Sequence, residues 1–140
     1  MVINIKTATT KKDKGKCFSI RRKVFVKEQN ISGEIEFDDE NVDATYFLAQ
    51  HKNMSVGTAR YRFTEFGIKL ERFAVLKSYR NLGVGKKLAI YILNSIKNEK
   101  VIYLHAQESV IEFYSKLGFK RIGNQFFEAE IIHQKMIYNP

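Results

Sequence analysis

Polar and apolar positions change their spacing several times along this chain, and each change marks an element. Val2-Ile3-Asn4-Ile5-Lys6 alternates, which predicts a strand with one buried face. Cys17, Ile20 and Val24 then recur at helical spacing behind Thr9 and Thr10, two candidate caps, so a helix is expected through about Val26. Residues 28–43 are polar and acidic and are broken by Gly33; they read as a loop or irregular helix over a site. Tyr46 to Gln50 is apolar, His51-Lys52-Asn53 is a turn, and Ser55 to Phe63 alternates, the pattern of an antiparallel hairpin. Thr64 to Gly67 makes a second turn, and Ile68 to Val75 the next strand.

The period lengthens again after Gly83. Val84, Leu88, Ile92 and Ile96 form one stripe, with Ala89 and Leu93 beside it, so residues 84–98 are expected as a core-facing helix. Residues 101–106 read as a buried strand, parallel to Ile68–Val75 because a helix separates them. Ser109 and Glu112 match a capping box, which predicts a helix with Val110, Phe113, Tyr114 and Leu117 inward, ended by Gly118. Residues 119–122 and 132–138 complete the chain as two strands. The fold class expected from this order is α+β: a mixed, mostly antiparallel sheet flanked by helices, in a single domain spanning 1–140.

Composition narrows the class. With 140 residues, 44% hydrophobic and 28% charged, the chain is an ordinary globular protein rather than a disordered one. Its longest apolar run, residues 88–93, is far short of a membrane span, and its N-terminus has no signal core, so a cytoplasmic protein without membrane contact is expected. Cys17 is the only cysteine, which excludes an internal disulfide and a Cys-rich zinc site; it reads as a small buried apolar residue. The three histidines have no ligand spacing, so no metal is expected. The net charge of +9 suits nucleic acid or an anionic small ligand, but no block of five cations and no nucleic-acid motif is present, which argues against nucleic acid.

One segment carries the chemistry. Arg80-Asn81-Leu82-Gly83-Val84-Gly85-Lys86 lies between a predicted strand and a predicted helix. Its glycines let the backbone come close to a ligand, and the helix start adds N–H donors and partial positive charge. Arg80 and Lys86 put cations at either end. The segment reads as a diphosphate cradle. It is not a P-loop: Arg80 stands at the first glycine position and Lys87 where a magnesium-binding hydroxyl belongs. It is not a dinucleotide fingerprint either, because Leu88 holds the third glycine position.

Arg-x-x-Gly-x-Gly after a strand resembles the acyl-CoA-binding motif of the GNAT superfamily of N-acetyltransferases. Phe113-Tyr114-Ser115-Lys116-Leu117-Gly118-Phe119 resembles that superfamily's second landmark, at the expected separation, and the element order is similar throughout. Glu28-Gln29 and Leu70-Glu71-Arg72 further resemble a bacterial branch of small acyltransferases. The resemblance implies a sheet splayed between its two central parallel strands and acetyl-CoA as cosubstrate. It implies pyrophosphate on the backbone from Asn81 through Leu82, Gly83, Val84 and Gly85 to Lys86, with Arg80 at the edge. It implies pantetheine along Phe73, Ala74 and Val75, and Tyr114 at the sulfur. Gln107 and Val110 stand where the family often has Asn and Ala; a Gln amide can still donate to CoA.

Acetylating an amine requires a neutral nucleophile, donors for the oxyanion and a proton for the departing thiolate. The candidates are the Val75 N–H for the oxyanion, Tyr114 as acid and Glu71 as base. A free phenol at pKa about 10 lies above a thiol at about 8.5, so full transfer is uphill by roughly 2 kcal/mol and a strong hydrogen bond is an alternative. Glu71 could instead sit in an ion pair, with Arg60 for example; His105 is a second candidate base or a hydrogen-bonded core residue. Glu28, Glu34, Glu36, Asp38, Asp39, Glu40 and Asp43 form an acidic island, either a solvated loop or an attractor for a cationic amine. The leading expectation is an acetyl-CoA-dependent N-acetyltransferase acting on a small-molecule or peptide amine, as a monomer or homodimer. The alternative is a non-catalytic acyl-CoA-binding regulatory module.

Overall fold

The computed structural model describes residues 1–31, 43–96 and 100–140. It divides into two compact units, Met1–Tyr61 with Arg72–Ile96, and Arg62–Glu71 with Lys97–Pro140.

In the first unit, β1 (Asn4–Ala8) pairs antiparallel with β2 (Thr45–His51), from Asn4↔Gln50 to Ala8↔Tyr46. β2 pairs in turn with β3 (Met54–Phe63) across the expected hairpin, with a register shift at Ala49/Gln50. The first strand begins two residues later than its alternation suggested. Helix α1 (Lys11–Arg21) starts at Thr10, whose Oγ1 accepts the Asp13 N–H at 3.1 Å. Beyond Arg21 it widens into a π-helical segment, Arg22–Glu28, which the 3.6-residue period did not announce. Cys17, Ile20, Val24 and Phe25 are buried against Ala8, Tyr46, Leu48 and Ala74. Cys17 is the core residue expected: its Sγ donates to the Phe47 carbonyl at 3.6 Å, and burial raises its thiol pKa. Helix α2 (Val84–Ser95) buries Val84, Leu88, Ala89 and Ile92, the predicted stripe. It stops at Ser95, and the expected extension to 98 runs into residues outside those described.

The second unit holds the start of β4 (Ile68–Val75), then β5 (Ile102–Gln107), helix α3 (Ile111–Lys116), β6 (Phe119–Arg121), β7 (Phe126–Glu128) and β8 (Ile131–Tyr138). β4 and β5 are parallel, as the intervening helix required, with register Ile68↔Ile102 to Leu70↔Leu104. Arg72 on β4 has φ 58°, so the strand leaves regular extension at that residue. β8 pairs antiparallel with β5, β6 and β7. The eight strands form one mixed, mostly antiparallel sheet in the order β1-β2-β3-β4-β5-β8-β6, with β7 on β8.

Three expectations in this unit are corrected. β7 was not foreseen. Ser109 is no capping residue: it lies in a 3-10 turn, Glu108–Val110, and α3 begins after Val110 without a side-chain cap. The later start rotates the inner face, so Ile111 and Tyr114 are buried while Val110 is exposed. Gly118 does end this helix, with φ 107° and its N–H on the Ser115 carbonyl at 3.2 Å.

Candidate active site

The loop from β4 to α2 belongs to the first unit. After Val75 the chain makes a 3-10 turn, Lys77–Tyr79, closed by the Tyr79 N–H on the Leu76 carbonyl at 2.8 Å. Asn81 follows with φ 62° and Gly83 with φ 85°, two left-handed residues that reverse the backbone immediately before Val84. Among the described residues, a Cβ built at Gly83 would meet nothing within 4 Å. Gly83 is also the cap residue of α2, and no acidic side chain lies in the first turn. The opening N–H groups of α2, from Val84 to Lys86, therefore have no intrahelical acceptors and no carboxylate from the helix's own first turn.

Arg80 serves this loop as a brace. Its Nε donates to the Val75 carbonyl at 3.0 Å, and its two terminal nitrogens grip both oxygens of Glu28, one at 2.7 Å. That bidentate contact holds the Glu28 carboxyl below its ordinary pKa. The guanidinium thus ties the end of the π-helical segment to the end of β4. On β4, Ala74 packs into the core cluster, while Phe73 and Val75 alternate onto the other face and are half-buried.

The remaining candidates belong to the second unit. Tyr114 is buried, edge-on to Phe113 at 5.0 Å and to Phe119 at 5.9 Å between ring centroids. Burial pushes its phenol well above the ordinary value, because the phenolate would lose its hydration. Glu71 is buried too. Arg62 Nε lies 3.0 Å from its Oε2 and Lys69 Nζ 3.5 Å from its Oε1. Arg60 Nη1 donates to the Tyr46 hydroxyl at 3.1 Å. Gln107 ends β5, opposite His133 on β8.

Strand alternation gives the second unit two unlike faces. Ile68, Leu70, Ile102, Leu104, Ala106 and Met136 are buried on one. Lys69, Glu71, Tyr103, His105, Gln107 and Lys135 share the other, an unusually ionic face for a sheet with buried members. His105 Nδ1 lies 3.1 Å from Glu128 Oε2 on β7. Phe126 stands edge-on to His105 at 4.8 Å and stacks on His133 at 6.0 Å. Glu128, Lys69 and Phe126 were missed from sequence: residues 126–128 are too short to show a period and no Asn-Gly turn follows them.

Of the acidic island, Glu28 is engaged with Arg80 and Asp43 is exposed. Glu34, Glu36, Asp38, Asp39 and Glu40 lie outside the described residues. Among the described residues no helix is long and apolar enough to cross a membrane.

The sheet is mixed with β4 and β5 parallel, and a left-handed backbone loop opens a helix at the end of β4. The family model described as the acetyltransferase (GNAT) domain matches residues 8–139, and the chain belongs to that family. A Bacillus subtilis relative described as the uncharacterized N-acetyltransferase YjcF is 33% identical over 123 residues, covering 86% of this chain and 88% of its own. Escherichia coli ElaA has a similar fold, with a TM-score of 0.86 at 23% identity, covering 99% of this chain and 100% of that one. Thermoplasma acidophilum PaiA N-acetyltransferase, solved in complex with coenzyme A, matches at a TM-score of 0.73 and 16% identity, over 96% and 98% of the two chains.

Proposed function

We propose that the protein transfers the acetyl group of acetyl-CoA to a primary amine of a small molecule or peptide, by direct attack and in the cytoplasm. We read residues 1–140 as one acetyltransferase domain, because the family match runs through both units. The observation that carries the reading is the loop: Asn81 and Gly83 in left-handed conformations, no atom of the described residues within 4 Å of a Cβ at Gly83, and a helix whose first turn has no acidic residue. Such a start accepts a pyrophosphate through N–H groups from Asn81 to Lys86. The complex of PaiA with coenzyme A supports the choice of ligand. Phe73 to Val75 would take the pantetheine arm as an added strand takes its neighbour, and Gln107 would add an amide donor.

In the reaction the amine nitrogen bonds to the thioester carbonyl carbon, the carbonyl oxygen becomes an oxyanion, and the carbon–sulfur bond then breaks. The Val75 N–H is positioned on a strand whose end is already fixed by Arg80, which suits a preorganised oxyanion donor. Tyr114 supplies the hydrogen bond to the departing thiolate. Its raised pKa makes outright protonation costlier than the roughly 2 kcal/mol of a free phenol, so donation without transfer is the better description. Glu71 remains the carboxylate of this face, but each of its oxygens already faces a cation, which suits it to fixing Arg62 and Lys69.

Titration calorimetry with acetyl-CoA, followed by thiol release in the presence of a panel of primary amines, tests the reading. The expected result is saturable binding and amine-dependent release. Binding without release to any amine would leave only a regulatory acyl-CoA module and overturn the catalytic reading. Absence of binding, with nucleic-acid affinity that falls steeply with salt, would overturn it altogether.

A further inference from the structure

Resting on the acetyl-transfer reading above, we propose that His105 is the base that takes the proton of the acceptor amine, and that Glu128 is its positioning residue. Three observations lead there. First, the geometry selects a tautomer. Glu128 Oε2 sits 3.1 Å from His105 Nδ1, so Nδ1–H donates to the carboxylate and the lone pair is left on Nε2. Second, the carboxylate stays ionised. The His105 contact draws the Glu128 pKa down to about 2, against the opposing effect of burial, with Lys69 and His133 adding positive charge nearby. Third, the two candidate bases of this face differ in access. The Glu71 side chain is 5% exposed with cations on both oxygens, whereas His105 is 25% exposed.

The chain also holds Glu128 in place at a cost. β7 joins β8 through Ala129 and Glu130, with φ 51° and 64°. A two-residue turn with both residues left-handed ordinarily uses Asn and Gly. A side chain in that conformation crowds the backbone, so the turn is strained. This strained turn sets the register Glu128↔Ile131 and Phe126↔His133, which brings the carboxylate and the Phe126 ring to His105.

The charged and titratable groups facing His105 are Lys69 and Glu71 on β4, Tyr103 on its own strand, His133 and Lys135 on β8, and Glu128 on β7. Tyr103 lies 5.9 Å away between ring centroids. Lys135 is drawn off onto Phe66, 3.3 Å from that ring's centroid, and Lys69 onto Glu71. Transfer then balances. As the amine nitrogen bonds to the acyl carbon, its proton passes to Nε2, and the Nδ1–H contact with Glu128 stabilises the imidazolium.

Two measurements test this. Nitrogen-15 NMR of the histidine rings should find neutral His105 as the Nδ1–H tautomer, with that preference lost in Glu128→Ala. An Nε2–H tautomer, or no effect of Glu128→Ala, overturns the positioning role. Kinetics with acetyl-CoA and two amine probes, benzylamine and spermidine, should show His105→Gln lowering kcat by about 100-fold, with calorimetric acetyl-CoA affinity unchanged and the acidic limb of the kcat/KM profile removed. Glu128→Gln should lower kcat by about tenfold at constant acetyl-CoA affinity. Wild-type turnover in His105→Gln overturns the base assignment alone. A wild-type chain that binds acetyl-CoA but releases no thiol with either probe overturns it together with the acetyl-transfer reading.

Discussion

Replacing Arg80 and Glu28 singly and together measures how far the loop depends on its brace. The pair is bidentate and charge-assisted, but about a third of each side chain is exposed, 35% for Arg80 and 34% for Glu28. Solvent screening therefore limits the coupling to about 1 kcal/mol, at the upper end for surface pairs. Arg80→Ala also removes the bond to the Val75 carbonyl, worth about 1 kcal/mol more, so it should destabilise by about 2 kcal/mol and Glu28→Gln by about 1. The double variant should then fall short of the sum by the coupling. Urea unfolding reads these differences. The Glu28 carboxyl is depressed in the folded state, so its share is present above the ordinary carboxylate pKa of about 4.3 and is lost as pH falls through its folded value. The coupling measured at pH 7 should accordingly shrink as the solution is made acid. Because the same guanidinium fixes the end of β4 beside the loop, Arg80→Ala should weaken acetyl-CoA binding by about fivefold, equivalent to about 1 kcal/mol. Strict additivity of the two substitutions, or a coupling unchanged in acid, would refute the brace.

Further outcomes follow from the same geometry. Tyr114→Phe should lower kcat on the order of a hundredfold with acetyl-CoA affinity intact; wild-type turnover in that variant would remove the donor. Gly83→Ala adds a methyl at φ 85°, which should cost about 1 kcal/mol in urea unfolding and weaken acetyl-CoA in calorimetry by more than tenfold, as the methyl occupies space beside the backbone. An unchanged dissociation constant would deny that the ligand approaches this loop. Glu128→Gln should destabilise the fold at neutral pH. Its deficit should close as pH falls from about 4.3, where the unfolded carboxyl protonates, to about 2, where the folded one does. A deficit that persists at pH 2 would mean the carboxylate is not what His105 holds.

Much of the first unit was legible from residue spacing. Ile68–Val75 and the start of α2 at Val84 fell where alternation, two glycines and a 3.6-residue stripe placed them. Those signals are local, and the packing agrees with them. β7 escaped because it has three residues and its turn carries Ala129 and Glu130 instead of Asn-Gly. Arg62 and Lys69 as partners of Glu71 escaped for a different reason: hairpin register and strand alternation, not sequence distance, decide which cations reach it. Ser109 misled because the capping-box pattern cannot tell a helix from a preceding 3-10 turn. The dyad of His105 and Glu128 needed β8 to carry one strand to the other, a relation that residue types alone do not encode.

The widened turns of Arg22–Glu28 have a bearing on engineering. The wide turns hold about one residue more than α-helical winding needs, so a single-residue deletion there would let the segment revert to ordinary winding with its far end facing much as before. Glu28 would then keep its side toward the guanidinium it now clasps. The same deletion in Lys11–Arg21 would instead turn everything downstream by about 100° around the axis, and should unfasten the loop as surely as mutating Arg80 does.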